Sequence, residues 1–164
     1  MKDLLLQYAQ YNIWANKRMI EVLMKLGDGQ YDVEIASSFP SLRKTVYHTW
    51  SAEYIWLQRL QLAENPVWAE ADFKGTFEDA CNDWQSVSGT FVQFTERQYD
   101  DAAFTHVLQF YDRSKVSHKM PVNQVLQHVF NHSTYHRGQI VTMMRQAGAK
   151  DIPGTDFVIF ARKK

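Results

Sequence analysis

Residues 121–148 read PVNQVLQHVFNHSTYHRGQIVTMMRQAG. Val122, Val125, Val129, Ile140, Met143 and Ala147 recur at helical spacing and define one buried face. Pro121 suits the first helical position, and Gly148 is a C-terminal stop. The stretch therefore predicts a long amphipathic helix from Pro121 to about Ala147.

Three other segments carry the same period. The first is expected over Asp3 to Leu26, with Leu4, Tyr8, Tyr11, Ala15, Met19, Val22 and Leu26 as its apolar stripe and Gly27 as its stop. The second runs from Ser41 to Leu62, opened by Pro40-Ser41 and closed by Asn65-Pro66. The third starts at Thr76, with Asp79 completing a capping box. Its buried face is Phe77, Ala80, Trp84, Val87, Phe91 and Phe94. Residues 99–120 read as a small hairpin-like insertion before the last helix, and Asp156 to Ala161 as a short extended piece.

Four such helices in 164 residues predict a single all-α domain over 1–164, a four-helix bundle. A helix of about 24 residues is about 36 Å long, and about 14 loop residues reach up to about 46 Å. The first and third connections can thus run back along the bundle, while the shorter second one joins antiparallel neighbours. The expected order is up-up-down-down.

Composition narrows the function. Lys+Arg and Asp+Glu are 18 each, so the net charge is zero. That disfavours a nucleic-acid protein or a polybasic membrane anchor. No apolar run is long enough to span a membrane. The opening MKDLLLQYAQYNIW lacks a long apolar h-region and an A-x-A site, so no secretory signal is expected. One cysteine, Cys81, leaves no intrachain disulfide and suits a reducing, cytoplasmic setting. Cys81 lies beside the buried face of the third helix, where packing is its expected role.

The chemistry lies in His128-x-x-x-His132-x-x-x-His136. At about 100° per residue, His136 lies near the centre of the buried stripe, His132 about 40° off it and His128 about 85° off. His132 and His136 therefore point inward, where imidazoles need partners. Two histidines four apart on a helix can share a metal ion. A third ligand must come from another helix, and His48, on a face with Ala52 and Ile55, is the best placed. Three imidazoles with an open fourth position suit a catalytic-type site that activates water or a thiol. Ser133 stands where an HExxH protease has its Glu, and there is no di-iron Glu-x-x-His pair, phosphate loop or GxSxG elbow.

The segment NHSTYHRGQIVTMMRQAGA, with Pro153 and Asp156 after it, resembles the signature of the DinB family, the DinB/YfiT-like metalloenzymes. Tyr11, Trp14 and Ala15 in the first helix, and Ser41, Leu42, His48, Glu53 and Trp56 in the second, extend the resemblance over nearly the whole chain. It implies an up-up-down-down four-helix bundle, often a homodimer. It also implies a divalent metal, usually zinc or nickel, with ligands falling on His48, His132 and His136. Characterised relatives include S-transferases that use the low-molecular-weight thiols bacillithiol or mycothiol, and a mycothiol-dependent isomerase. The leading expectation is thus a metal-dependent enzyme acting on a thiol-containing small molecule. Alternatives are a metal-dependent hydrolase, a non-enzymatic metal- or ligand-binding stress protein, and a bundle whose histidines merely bond to one another. Gln139 is expected to line the pocket, Gly138 to permit close helix packing, and Arg137 to face the surface or a dimer contact. Trp50 and Tyr135 are expected mainly to pack.

Overall fold

A computed structural model describes residues 1–162. It is mostly helical, with one two-stranded sheet. The long helices are α1 (Lys2–Leu23), α3 (Leu42–Leu60), α4 (Phe77–Arg97) and α5 (Val122–Gln146). A single turn, α2 (Asp28–Tyr31), interrupts the first connection. Strands β1 (Val107–Tyr111) and β2 (Ser117–Pro121) form the expected hairpin, antiparallel, with Val107 opposite Pro121 and Tyr111 opposite Ser117.

Local chemistry sets these boundaries. The Ser41 hydroxyl accepts from the Lys44 amide and opens α3. Thr76 and Asp79 form the expected capping box of α4: the Asp79 amide donates to Thr76 Oγ1, and the Thr76 amide to Asp79 Oδ2. Gly148, at φ 87°, ends α5 in the left-handed conformation that a side chain disfavours. Pro121 stands one residue before α5, as the last residue of β2.

The long helices pack in a ring: α1 touches α4 and α5, and α3 touches α4 and α5. Residue pairs give their directions. Lys2 Nζ reaches the Glu96 carbonyl while Asn16 meets Ser88, so α1 and α4 are antiparallel. Tyr8 stacks on Phe130 and Asn16 meets Arg137, so α1 and α5 are parallel. Thr45 meets Met143 and Trp56 meets His128, so α3 and α5 are antiparallel. Tyr47 packs on Phe77 and Glu53 bonds Trp84, so α3 and α4 are parallel. The order is up-down-down-up, which corrects the expected up-up-down-down. It is the second connection, 61–76, that runs back along the molecule. It contains about 16 residues, with a reach of up to about 50 Å, against about 28 Å for α3. The first connection is taken up by α2 and by a loop packed beside the histidines.

Two further expectations change. Residues Phe157–Ala161 form a short helix, α6, rather than an extended piece. Phe157 and Phe160, three apart, both pack on Tyr11. On α1, Tyr11, Ala15, Met19 and Val22 of the expected stripe are buried, but Leu4 and Tyr8 are exposed, and Leu5, Ala9, Asn12 and Asn16 are buried as well. Along α4, Phe77, Ala80, Trp84, Val87 and Phe91 are buried as expected, and so is Cys81. Burial pushes the Cys81 thiol up to about 12. Among the described residues, no helix is long and apolar enough to cross a membrane.

Candidate metal centre

Helices α3 and α5 bring His48, His132 and His136 together. One ring nitrogen from each lies within 4.8 Å of the others. His132 Nε2 is 3.1 Å from both His48 Nε2 and His136 Nε2. The α5 pair shares a face because the two residues are one turn apart; His48 meets them because α3 lies antiparallel against that face.

The protons around this point are constrained. His136 Nδ1 donates to Gln139 Oε1 at 2.7 Å, so in the neutral ring Nε2 carries a lone pair aimed at the cluster. His132 Nε2 holds either one proton or one lone pair, so at most one of its two 3.1 Å contacts is a linear hydrogen bond. The rings therefore cannot satisfy one another, and a cation at their meeting point would. Tetrahedral zinc at about 2.0–2.1 Å from each nitrogen needs nitrogens about 3.3 Å apart, close to the two 3.1 Å spacings from His132, with the third pair within 4.8 Å. The donor set fits a metal ion.

Burial keeps the rings neutral, as ligands must be. It pushes His48 down to about 4, aided by the charges of His136 and Arg113. It pushes His132 down to about 3, aided by His136, His48 and His128. His136 is also lowered by burial, against the opposing hydrogen bond to Gln139. Phe39, in the loop before α3, stacks on His48 with ring centroids 4.3 Å apart. Tyr135, 61% exposed, sets its edge against His136 at 5.0 Å, so it borders the site rather than filling the core. Trp50 packs in the core against Tyr47 and Phe73.

A model of the DinB family matches residues 1–164. The chain belongs to the DinB family. It is 29% identical to Protein DinB of Bacillus subtilis (strain 168) over 167 residues, covering 98% of this chain and 95% of that protein. It is also 27% identical over 140 residues to the uncharacterized protein YrdA of the same strain, covering 82% of this chain and 77% of that one. The crystal structure of a DinB-like protein from Bacillus cereus ATCC 10987 superposes with a TM-score of 0.72 at 25% identity, covering 92% of this chain and 94% of that one.

In this DinB chain the other histidines supply no nitrogen to the cluster. The His128 ring packs on Trp56 at 5.2 Å and borders His132 at 5.8 Å. His118 pairs with Asp112 on the hairpin, and His106 joins η1 (Asp101–Thr105) to β1. Gln139 supports His136 and is held in turn, its amide donating to Ser38 Oγ at 2.8 Å. That role is readable from its i+3 spacing once His136 is known to face inward. Gly138 does not mark close helix packing: a Cβ there would meet nothing within 4 Å.

Arg137 is the larger surprise. Expected at the surface, it is 1% exposed. Its guanidinium donates to Asn12 Oδ1 at 2.6 Å, Asn16 Oδ1 at 2.8 Å and Thr134 Oγ1 at 2.7 Å. The amides of the same asparagines donate to Glu53 Oε1, as do Trp84 Nε1 and Ser133 Oγ. Ser88 Oγ donates to Glu53 Oε2. All four long helices thus meet in one buried polar network. Ser133 and Arg137 each follow a cluster histidine in sequence, so the network sets the rotation of α5 that aims His132 and His136 at His48.

Proposed function

We propose that this protein, built on a four-helix bundle, binds one divalent metal ion through His48, His132 and His136 and acts on a thiol-containing small molecule there. The convergence of three Nε2 atoms, with His136 locked as a lone-pair donor by Gln139, carries the reading. A bound divalent ion would supply Lewis acidity at an open fourth position, favouring the thiolate of a thiol held there. The chain's part is to hold three neutral imidazoles at fixed spacing and to border the site with Phe39 and Tyr135. Among the described residues, no carboxylate belongs to the cluster. Glu53 is buried, with its oxygens engaged by Asn12, Asn16, Trp84, Ser88 and Ser133. A thiol, near pKa 8.5, needs far less acidification than water at 15.7, so a site without a base favours thiol chemistry over hydrolysis.

The test uses protein purified without a histidine tag. Elemental analysis is expected to give about one zinc or nickel ion per chain. Transfer of a low-molecular-weight thiol to an electrophile is expected from loaded protein and not from His136→Ala. Absence of stoichiometric metal, or equal transfer by both proteins, overturns the proposal. Turnover of esters or amides without added thiol would replace it with hydrolysis.

A further inference from the structure

A concave site lies between the end of α3, the start of the 61–76 connection and the hairpin. It is a groove of about 630 Å³, within the range of small-molecule sites. Its cations are Arg59, Arg113 and Lys115, and its apolar surfaces include Trp68, Leu108 and Phe110.

The two guanidiniums are held in place without a contact ion pair. Arg59 lies 4.4 Å from the Trp56 ring centre and 4.9 Å from that of Phe110, and donates to the Tyr111 carbonyl at 2.8 Å. Arg113 lies 4.2 Å from the centre of Trp68. Among the described residues, the ion pairs are Met1 with Asp101, Arg43 with Asp32, and His118 with Asp112. Neither groove arginine is in one. Two carboxylates, Glu64 and Asp112, line the groove. Asp112 is already engaged: Oδ2 by His118, Oδ1 by the amides of Ser114 and Val116. Burial lowers the pKa of Arg59 and outweighs the opposing charge of Asp112, which makes no contact ion pair with it. Flat guanidiniums stacked on rings keep their edge N–H groups free for oxyanions.

We propose that this groove binds a small, multiply charged oxyanion, with the anion between Arg59 and Arg113 and an apolar body against Trp68 and Phe110. The site does not rest on the metal reading, although it adjoins the histidines: Trp56 touches Arg59 on one side and His128 on the other.

Calorimetric titration of metal-loaded and metal-stripped protein with succinate, a far weaker metal chelator than citrate, and with inorganic phosphate tests this. Saturable binding of at least one anion is expected, equal in both forms and weakened by salt; the preferred arm tells carboxylate from phosphate. Arg59→Gln and Arg113→Gln are each expected to weaken it at least about ten-fold. Arg113 is exposed on the hairpin turn, so its variant keeps the wild-type melting curve and separates lost binding from lost folding. Lys25→Gln, at an exposed position outside the groove, is expected to bind as wild type. Absence of binding, binding that vanishes with the metal, or equal weakening by Lys25→Gln overturns the proposal.

Discussion

Two polar clusters sit back to back along α5, and they are built in opposite ways. The Glu53–Arg137 network is fully buried, and its two charges are bridged by Asn12 and Asn16. The histidine cluster is only partly buried, and its three Nε2 atoms crowd one point without enough protons to bond one another. A cluster whose buried charges are bridged by hydrogen bonds, with Arg137 Nε alone of its named atoms left without a partner, is a structural device. One that leaves lone pairs converging is shaped for something added. Polarity inside a helical protein is thus informative mainly through its hydrogen-bond balance.

The largest blow to this contrast falls on the network. Glu53→Ala is expected to destabilise the protein by about 3–5 kcal/mol, because Arg137 is left buried without its bridged counter-charge. Urea denaturation with and without metal measures it; a loss below about 1 kcal/mol would make the network dispensable. Gln139→Leu is expected to act on the other cluster alone. It should weaken metal affinity about 10- to 100-fold through the freed His136 ring, with little change in the stability of stripped protein. Competition with a chelator reads the first quantity and denaturation the second.

A subtler separation comes from acid. The folded state depresses His48 to about 4 and His132 to about 3, from an ordinary value of 6.5. The unfolded chain therefore binds more protons below 6.5, and stripped protein should lose stability progressively as pH falls from 6.5 toward 3. The double variant His48→Ala/His132→Ala should show a flatter profile over that window. Melting temperature against pH checks it, and parallel profiles would assign the acid sensitivity elsewhere.

Periodicity was sufficient to place the four long helices, and the position of His132 and His136 on an apolar stripe was sufficient to aim them. Helix direction was not legible, because loop length bounds how far a connection reaches and not which way it goes. The 61–76 connection shows this: it makes the long return although it looked the shortest. The network escaped notice because Asn12, Asn16, Glu53 and Arg137 each read as a polar position, and helical patterning assigns such positions to solvent. Their burial depends on finding one another across four helices, which no single stretch encodes. Gln139 lay between these cases, its spacing visible but its partner dependent on which way His136 turned.

Cys81 has a practical consequence. The chain's sole sulfhydryl is buried on the inner face of α4, where burial pushes its pKa up to about 12. A cysteine engineered beside Tyr135 would therefore be the one reactive handle on the molecule. A fluorophore or spin label placed there would report events at the histidines without background from the native residue.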